Sequence, residues 1–182
     1  MDKPKPGTPG FEYPRGDKLR RILAPFRPAD ARTVLDMGCG DGLKASRYHL
    51  GLEITGFEAD RDKAAEARKH LRECYALDMI HIADVLTEWF DWVTFIDSIE
   101  HVAPERARKI LGHAKRVARY AVTVFAPAGD TSEWRHKENE LDRHASIWDE
   151  VQFAQLGFEV TRLQDYHGPG YDALIAHWRK AE

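Results

Sequence analysis

The sequence predicts an α/β protein built on a doubly wound, mostly parallel sheet. Three observations predict it. Strand-like and helix-like segments alternate from Thr33 onward. Glycines cluster where the first strand-like run gives way to a helix, in VLDMGCGDG (34–42). The last two strand-like runs are joined by a Gly-Pro-Gly stretch, which suits an antiparallel hairpin at one edge.

The elements follow in order. Residues 1–16 hold four prolines and three glycines and read as a flexible arm ahead of one domain spanning 17–182. GDKLRRILAPF puts Leu19, Ile22 and Leu23 on one face of a short helix, stopped by Pro25 or Pro28. TVLDMG is a buried strand, LKASRYHL a helix and EITGFE the second strand. DRDKAAEARKHLREC is a charged helix with Asp60 as N-cap. DMIHI reads as a short third strand, with a loop or short helix around Val85 to Phe90. WVTFIDS is the fourth strand and PERARKILGHAKRVA a helix with Pro104 in its first turn. YAVTVFAP is the fifth strand, and a polar loop runs from Ala128 to Ser146. IWDEVQFAQLGF is a helix closed by Gly157, with Ser146 as N-cap and Asp149 at capping-box distance. FEVTRLQDY and YDALIAHW are the last two strands.

The chain of 182 residues is long enough for one sizeable core. Its net charge of -3 provides no global field for nucleic acid or an anionic membrane surface. Two cysteines, Cys39 and Cys74, form neither a disulfide scaffold nor a zinc motif. No apolar run approaches a membrane span, and no signal-peptide core is read at the start. The expected setting is the cytoplasm.

The glycine cluster asks for a ligand that approaches the backbone closely. A dinucleotide fits poorly. Its GxGxxG pattern fails at Leu43, and Asp36 would repel a pyrophosphate, since charges ~4 Å apart interact by roughly 4 kcal/mol at an intermediate dielectric. A ligand with a cationic end and no phosphate suits Asp36 better, and S-adenosylmethionine is such a ligand. Glu58 ends the second strand, where a carboxylate can accept from both ribose hydroxyls. Asp84, in IADV, lies where a side chain can meet an adenine amino group, although an N-cap is an equally simple role for it. FIDSIEH places Asp97 at the cofactor edge, with Glu100 and His101 just beyond.

Taken together, VLDMGCGDG, ITGFEAD, IADV and FIDSIEHV, over roughly residues 30–178, resemble a class I S-adenosylmethionine-dependent methyltransferase of the small-molecule type. The resemblance implies a Rossmann-like seven-stranded sheet of order 3-2-1-4-5-7-6 with strand 7 antiparallel. It implies that Asp36 and the loop of Gly38, Cys39, Gly40 and Gly42 hold the methionine end. Glu58 with Ala59 would hold the ribose, Asp84 with Val85 the adenine, and Asp97 the cofactor edge. The partner expected is a small-molecule methyl acceptor, methylated most simply at oxygen.

For a hydroxyl acceptor a base helps, and His101 with Glu100 is the candidate pair. A structural histidine and an ion-paired glutamate are the plainer alternatives, just as Cys39 suits a small loop filler and Trp148 a packing anchor. HASIWDEVQFAQLGFEV resembles a stretch found in many bacterial small-molecule methyltransferases, and IEHV resembles quinone-biosynthesis O-methyltransferases. Asp97, Glu100, His101 and the downstream His144 also resemble the metal site of small-RNA 2′-O-methyltransferases, with Asp replacing the first Glu. That pattern is incomplete here, so the expected site carries no metal. His144 and His136 are weaker site candidates, and a non-catalytic binding module is a further alternative.

Overall fold

The computed structural model describes residues 16–85, 89–131 and 140–181. The arm expected over 1–16 lies outside the described residues, apart from Gly16. The elements are α1 (Gly16–Leu23), β1 (Thr33–Met37), α2 (Leu43–Tyr48), β2 (Glu53–Phe57), α3 (Arg61–Ala67), β3 (Glu73–Tyr75) and α4 (Ile82–Val85). They continue with β4 (Phe90–Ile96), α5 (Pro104–Val117), β5 (Ala118–Pro127), α6 (Glu150–Gln155), β6 (Glu159–Leu163) and β7 (Ala173–Arg179). The sheet has seven strands in the order β3-β2-β1-β4-β5-β7-β6. Strands β1 to β5 pair in parallel, and β7 runs antiparallel to both β5 and β6. This is the predicted α/β architecture. No described helix is long and apolar enough to cross a membrane.

Strand alternation divides the core into two layers. Leu35, Met37, Val93, Phe95, Val122 and Val124 face α5, whose Ala107, Ile110, Leu111 and Ala114 recur at helical spacing. Val34, Ile54, Trp92, Ile96 and Phe125 face the other way, against α1, α2 and α3. Asp36 shares that second face, so its carboxyl points under α2 rather than into solvent, at 1 % exposure. At the opposite end of the sheet Asp91 is also buried. Its Oδ2 accepts the N–H groups of Arg32 (2.9 Å) and Thr33 (3.0 Å), and its Oδ1 accepts from Arg119 (2.8 Å), fastening the start of β1 to β4.

Three sequence expectations shift. The charged helix stops at Ala67, and its expected tail supplies β3 instead, with Gly56 opposite Cys74. DMIHI is then a 3-10 turn over Met79–His81, capped by Asp78, whose carboxylate accepts from Ile80 N at 2.9 Å. Helix propensity lost there because the sheet edge needed the β-competent Glu-Cys-Tyr. The third shift concerns α6: its N-cap is Asp149, in a reciprocal capping box with Gln152, not Ser146. The Ser146 hydroxyl is occupied by Trp148 Nε1 at 2.8 Å. Trp148 stacks on Phe153 at 4.6 Å and is 2 % exposed, the anchoring role expected. At the outer edge, Arg162 of β6 spans Glu150 and Asp172, the latter at 2.8 Å.

Gly42 closes the turn into α2 at φ 77°, and a Cβ there would stand 2.9 Å from the Ala67 Cα of α3. Gly42→Ala is therefore expected to cost about 2–4 kcal/mol, from left-handed strain plus backbone overlap. Gly40→Ala, whose Cβ would meet nothing within 4 Å, should cost only about 1 kcal/mol. Urea unfolding of both variants checks this; equal losses would contradict the packing argument.

Candidate active site

A cleft of about 1150 Å³ opens at the carboxyl ends of β1, β2 and β4, where a sheet of this winding leaves room for ligands. Of the residues assigned to the cofactor from sequence, Gly38, Cys39, Gly40, Glu58, Ala59 and Asp97 line it, and so does His101. Gly38 is pressed against β4's exit: a Cβ there would lie 2.6 Å from Ser98 Cβ. Ser98 in turn donates to Met37 O at 2.6 Å, which locks the two strand ends side by side.

Glu58 is bound to backbone on both oxygens. Oε2 accepts from Gly40 N and Oε1 from Asp60 N, each at 2.9 Å. Each carboxylate oxygen keeps a second lone pair for a further donor. Asp36 stands beneath the loop instead of on the cleft wall. The Tyr48 hydroxyl donates to its Oδ2 at 2.8 Å and the Thr94 hydroxyl to its Oδ1 at 2.8 Å. His49 Nε2 adds a contact to Oδ1 at 3.5 Å and lies 2.9 Å from Thr94 Oγ1. Asp36, expected to hold the methionine end, is thus not among the residues that line the cleft; Tyr48, which donates to it, is. Gly42 also stands back, against α3.

The earlier position of β3 moves the opposite wall. Leu77, Asp78 and Met79, just past that strand, line the cleft. Asp84 and Val85 close α4 and their side chains lie outside the described residues, as does His136. Tyr48, Met79 and Tyr166 are wall residues that sequence reasoning missed. The inward phase of α2 was a usable signal for Tyr48; none pointed to Tyr166, which arrives through the β6–β7 connection. Lys63 and Asp142 face one another across the mouth as an ion pair at 3.1 Å.

Beyond β4 the chain turns sharply. Asp97 takes a left-handed φ of 48°, a conformation Asp tolerates better than most residues, and its N–H donates to Phe125 O at 2.9 Å. Glu100 follows in a 3-10 turn, and its carbonyl accepts from Ala145 N (2.7 Å) and Ser146 N (3.0 Å). Those two bonds bring the loop before α6 onto the end of β4, and His144 with it. The rings of His101 and His144 meet edge-on at 5.0 Å. His101 Nδ1 lies 3.2 Å from Arg143 O; because a carbonyl only accepts, Nδ1 carries a proton, and in the neutral ring the lone pair is on Nε2. His144 Nδ1 is held by the Thr131 hydroxyl.

Glu100 is 2 % exposed, and burial pushes its carboxyl up to about 8. Asp97 is also pushed up to about 8, by burial and then by the neighbouring Glu100. It keeps 42 % of its side-chain surface open, so burial weighs less on it than on Glu100. Ligating atoms of Glu100, His101 and His144 lie within 4.8 Å of one another; Asp97 is outside that cluster.

Residues 34–120 match the family model of a methyltransferase domain. That match spans just under half of the chain. A curated relative, the ubiquinone biosynthesis O-methyltransferase of Hydrogenovibrio crunogenus, is 31 % identical over 103 residues. That match covers 53 % of this chain and 42 % of the relative, so the chain spans less than half the length of the protein it matches. Among solved structures, an S-adenosylmethionine-dependent methyltransferase from Archaeoglobus fulgidus superposes with a TM-score of 0.67 at 20 % identity, over 91 % of this chain and 92 % of that one. The magnesium protoporphyrin IX methyltransferase of Synechocystis, solved with S-adenosylmethionine bound, gives 0.62 at 17 % identity over 91 % and 78 %. The fold is that of the class I methyltransferases, whose cofactor is S-adenosylmethionine. The residues present fit that cofactor: a glycine loop that leaves its backbone open to the cleft at Gly40, a carboxylate with lone pairs to spare, and no phosphate-binding cation cluster in the loop itself.

The Tyr48 to Asp36 bond is buried at both ends, so Tyr48→Phe strands a carboxylate oxygen. The variant is expected to lose about 1–3 kcal/mol of stability and to loosen the cleft floor. Thermal and urea unfolding measure the first effect; a variant as stable as the parent would mean the bond is dispensable.

Proposed function

We propose that this protein transfers the methyl group of S-adenosylmethionine to an oxygen of a small metabolite. One observation carries the reading. Within a single cleft, Glu58 and the glycine loop stand at one end, and at the other stands His101, its Nδ1 pinned by Arg143 O so that Nε2 is the lone-pair nitrogen of the neutral ring. When bound, the cofactor supplies a sulfonium-activated methyl group. The protein has then to hold the acceptor in line with it and take up a proton.

Glu58 suits the ribose hydroxyls, which can donate to the lone pairs that Gly40 and Asp60 leave open. Gly38, Cys39 and Gly40 form the loop against which the methionine end rests, with Asp36 and Tyr48 as its support and Asp97 at the cofactor edge. Leu77 and Met79 offer an apolar wall suited to the adenine face. His101 is the base for an acceptor hydroxyl, and Glu100 is its buried neighbour. The named relative acts, by its name, on an oxygen in ubiquinone biosynthesis, which supports an oxygen acceptor without identifying it. The porphyrin-acting structural neighbour has the same fold, so the fold does not select the acceptor.

A second reading is favoured by the Glu100, His101 and His144 cluster. One buried carboxylate and two imidazoles within 4.8 Å suit a divalent ion, and hydrogen bonds on the far nitrogens of both histidines are the usual support for ligating rings. In that case the ion, not a histidine base, would lower the acceptor's proton affinity. RNA as the acceptor draws no support from the net charge of -3.

Calorimetry with S-adenosylhomocysteine separates the roles. Glu58→Ala is expected to weaken binding by about tenfold or more, equivalent to a lost charge-assisted bond. His101→Ala should leave that affinity within about twofold while lowering kcat by about 100-fold or more. Unchanged affinity in the first variant, or unchanged turnover in the second, removes the corresponding role. Methyl transfer that survives exhaustive chelator dialysis selects the base; loss restored by a divalent ion selects the metal.

A further inference from the structure

Two thiols meet beneath the glycine loop. Cys39 sits between Gly38 and Gly40 and lines the cleft, and Cys74 is the middle residue of β3. Both are free, at 5 % and 3 % exposure, and their Sγ atoms are 3.6 Å apart. The sheet arranges this contact. Gly56 is the register partner of Cys74, and a Cβ on Gly56 would lie 2.4 Å from Cys39 Sγ. Only glycine leaves the sulfur its seat. A small loop filler would account for the size of Cys39, but not for a second sulfur in contact with it.

We propose that Cys39 and Cys74 form an oxidative modification site, in which peroxide converts the pair to a disulfide that ties the glycine loop to β3 and weakens cofactor binding. The effect on the cofactor rests on the methyltransferase reading above; the bond itself does not. A sulfur held as thiolate attacks one oxygen of hydrogen peroxide, the O–O bond breaks, and after proton transfer a sulfenic acid and one water result. The other thiol attacks the sulfenic sulfur; the S–S bond forms, the S–O bond breaks, and a second water leaves. The two thiols lose two electrons and two protons, and the peroxide takes up both. The hydrogen bond from Cys39 draws the Cys74 thiol down against the opposing effect of burial, and Arg68 adds to the draw. The same hydrogen bond, with burial, holds Cys39 up. Of the two sulfurs Cys39 is the one that lines the cleft, so peroxide reaches the pair from that side, and the second thiol resolves the sulfenic acid.

Bond formation needs an approach of about 1.5 Å from the present separation. β3 is hydrogen-bonded to β2, so the loop yields. Cys39 N donates to Phe57 O at 3.0 Å, and the next amide, Gly40 N, donates to Glu58 at 2.9 Å. A shift of Cys39 therefore alters both the loop and the carboxylate assigned to the ribose. Conversely, a ligand lying on the loop covers Cys39 and slows the reaction.

The test treats the whole chain with hydrogen peroxide, with and without saturating S-adenosylhomocysteine, and follows intact mass and peptide maps. The expected product is an intramolecular Cys39–Cys74 link, lighter by about 2 Da, formed at least about fivefold more slowly with ligand present. The oxidised protein should bind S-adenosylhomocysteine about tenfold more weakly, and dithiothreitol should restore it. Cys74→Ala should show no loss of mass. Two thiols still titratable after treatment, single-cysteine oxygen adducts alone, or links between chains overturn the site. A bond that leaves affinity unchanged, or forms equally fast under ligand, overturns its coupling to the cleft. Reduced protein that binds no S-adenosylhomocysteine overturns the methyltransferase reading and the coupling together, while the mass measurement still decides the bond.

Discussion

Asp36 places a carboxyl group under the floor of the cleft, where an oxygen without a donor would cost several kcal/mol by order of magnitude. The surrounding structure is organised to supply donors. Tyr48 comes from the last turn of α2, His49 from the residue that ends it, and Thr94 from the neighbouring strand. Satisfying one acid therefore fixes how α2 packs on the sheet and how β1 lines up with β4. The glycine loop runs between those elements, so its path is set from below. The carboxyl that the sequence marks as a ligand contact lies one layer below the cleft wall, bonded to an aromatic ring that lines it.

The cleft has two chemically distinct ends. At the β1–β2 end the polar groups are backbone amides and Glu58, already linked to one another. At the β4 end they are side chains capable of moving protons or holding an ion, and two of them are carboxyls that resist ionisation. The loop before α6 joins this second end through the two amides that bind the Glu100 carbonyl. In the function proposed above, cofactor and acceptor are held by different parts of the chain. The first rests on strand ends, the second on a loop that the sheet recruits.

Much of this was legible in the sequence because it depends on local pattern. Alternating strand and helix periods, the glycines after β1 and the acid after β2 each announce themselves within a few residues. Asp60 was found as a cap, and Trp148 as an anchor, from local chemistry alone. The misreadings share a cause. β3 was hidden in the tail of a strong helical pattern, because pairing with β2 decided the matter and pairing is not local. The residues just past the strand are therefore Leu77, Asp78 and Met79, where the sequence reading places Asp84. The Asp91 clamp and the Tyr48 bond join residues far apart in the chain, and nothing in one sequence records such distances; the meeting of His101 with His144 was reachable only through the resemblance to the small-RNA enzymes. Ser146 lost its expected cap to a tryptophan two positions on, a competition visible only in three dimensions.

The two rims of the sheet are finished differently. On one side β3 is only three residues long, too short a template for a foreign strand to grip. On the other, β6 shows Glu159, Thr161 and Arg162 to solvent, and Arg162 is clasped between two acids. An incoming strand would have to lie along charges already engaged. The sheet thus carries its own terminators, and end-to-end growth into fibrils is opposed at both margins.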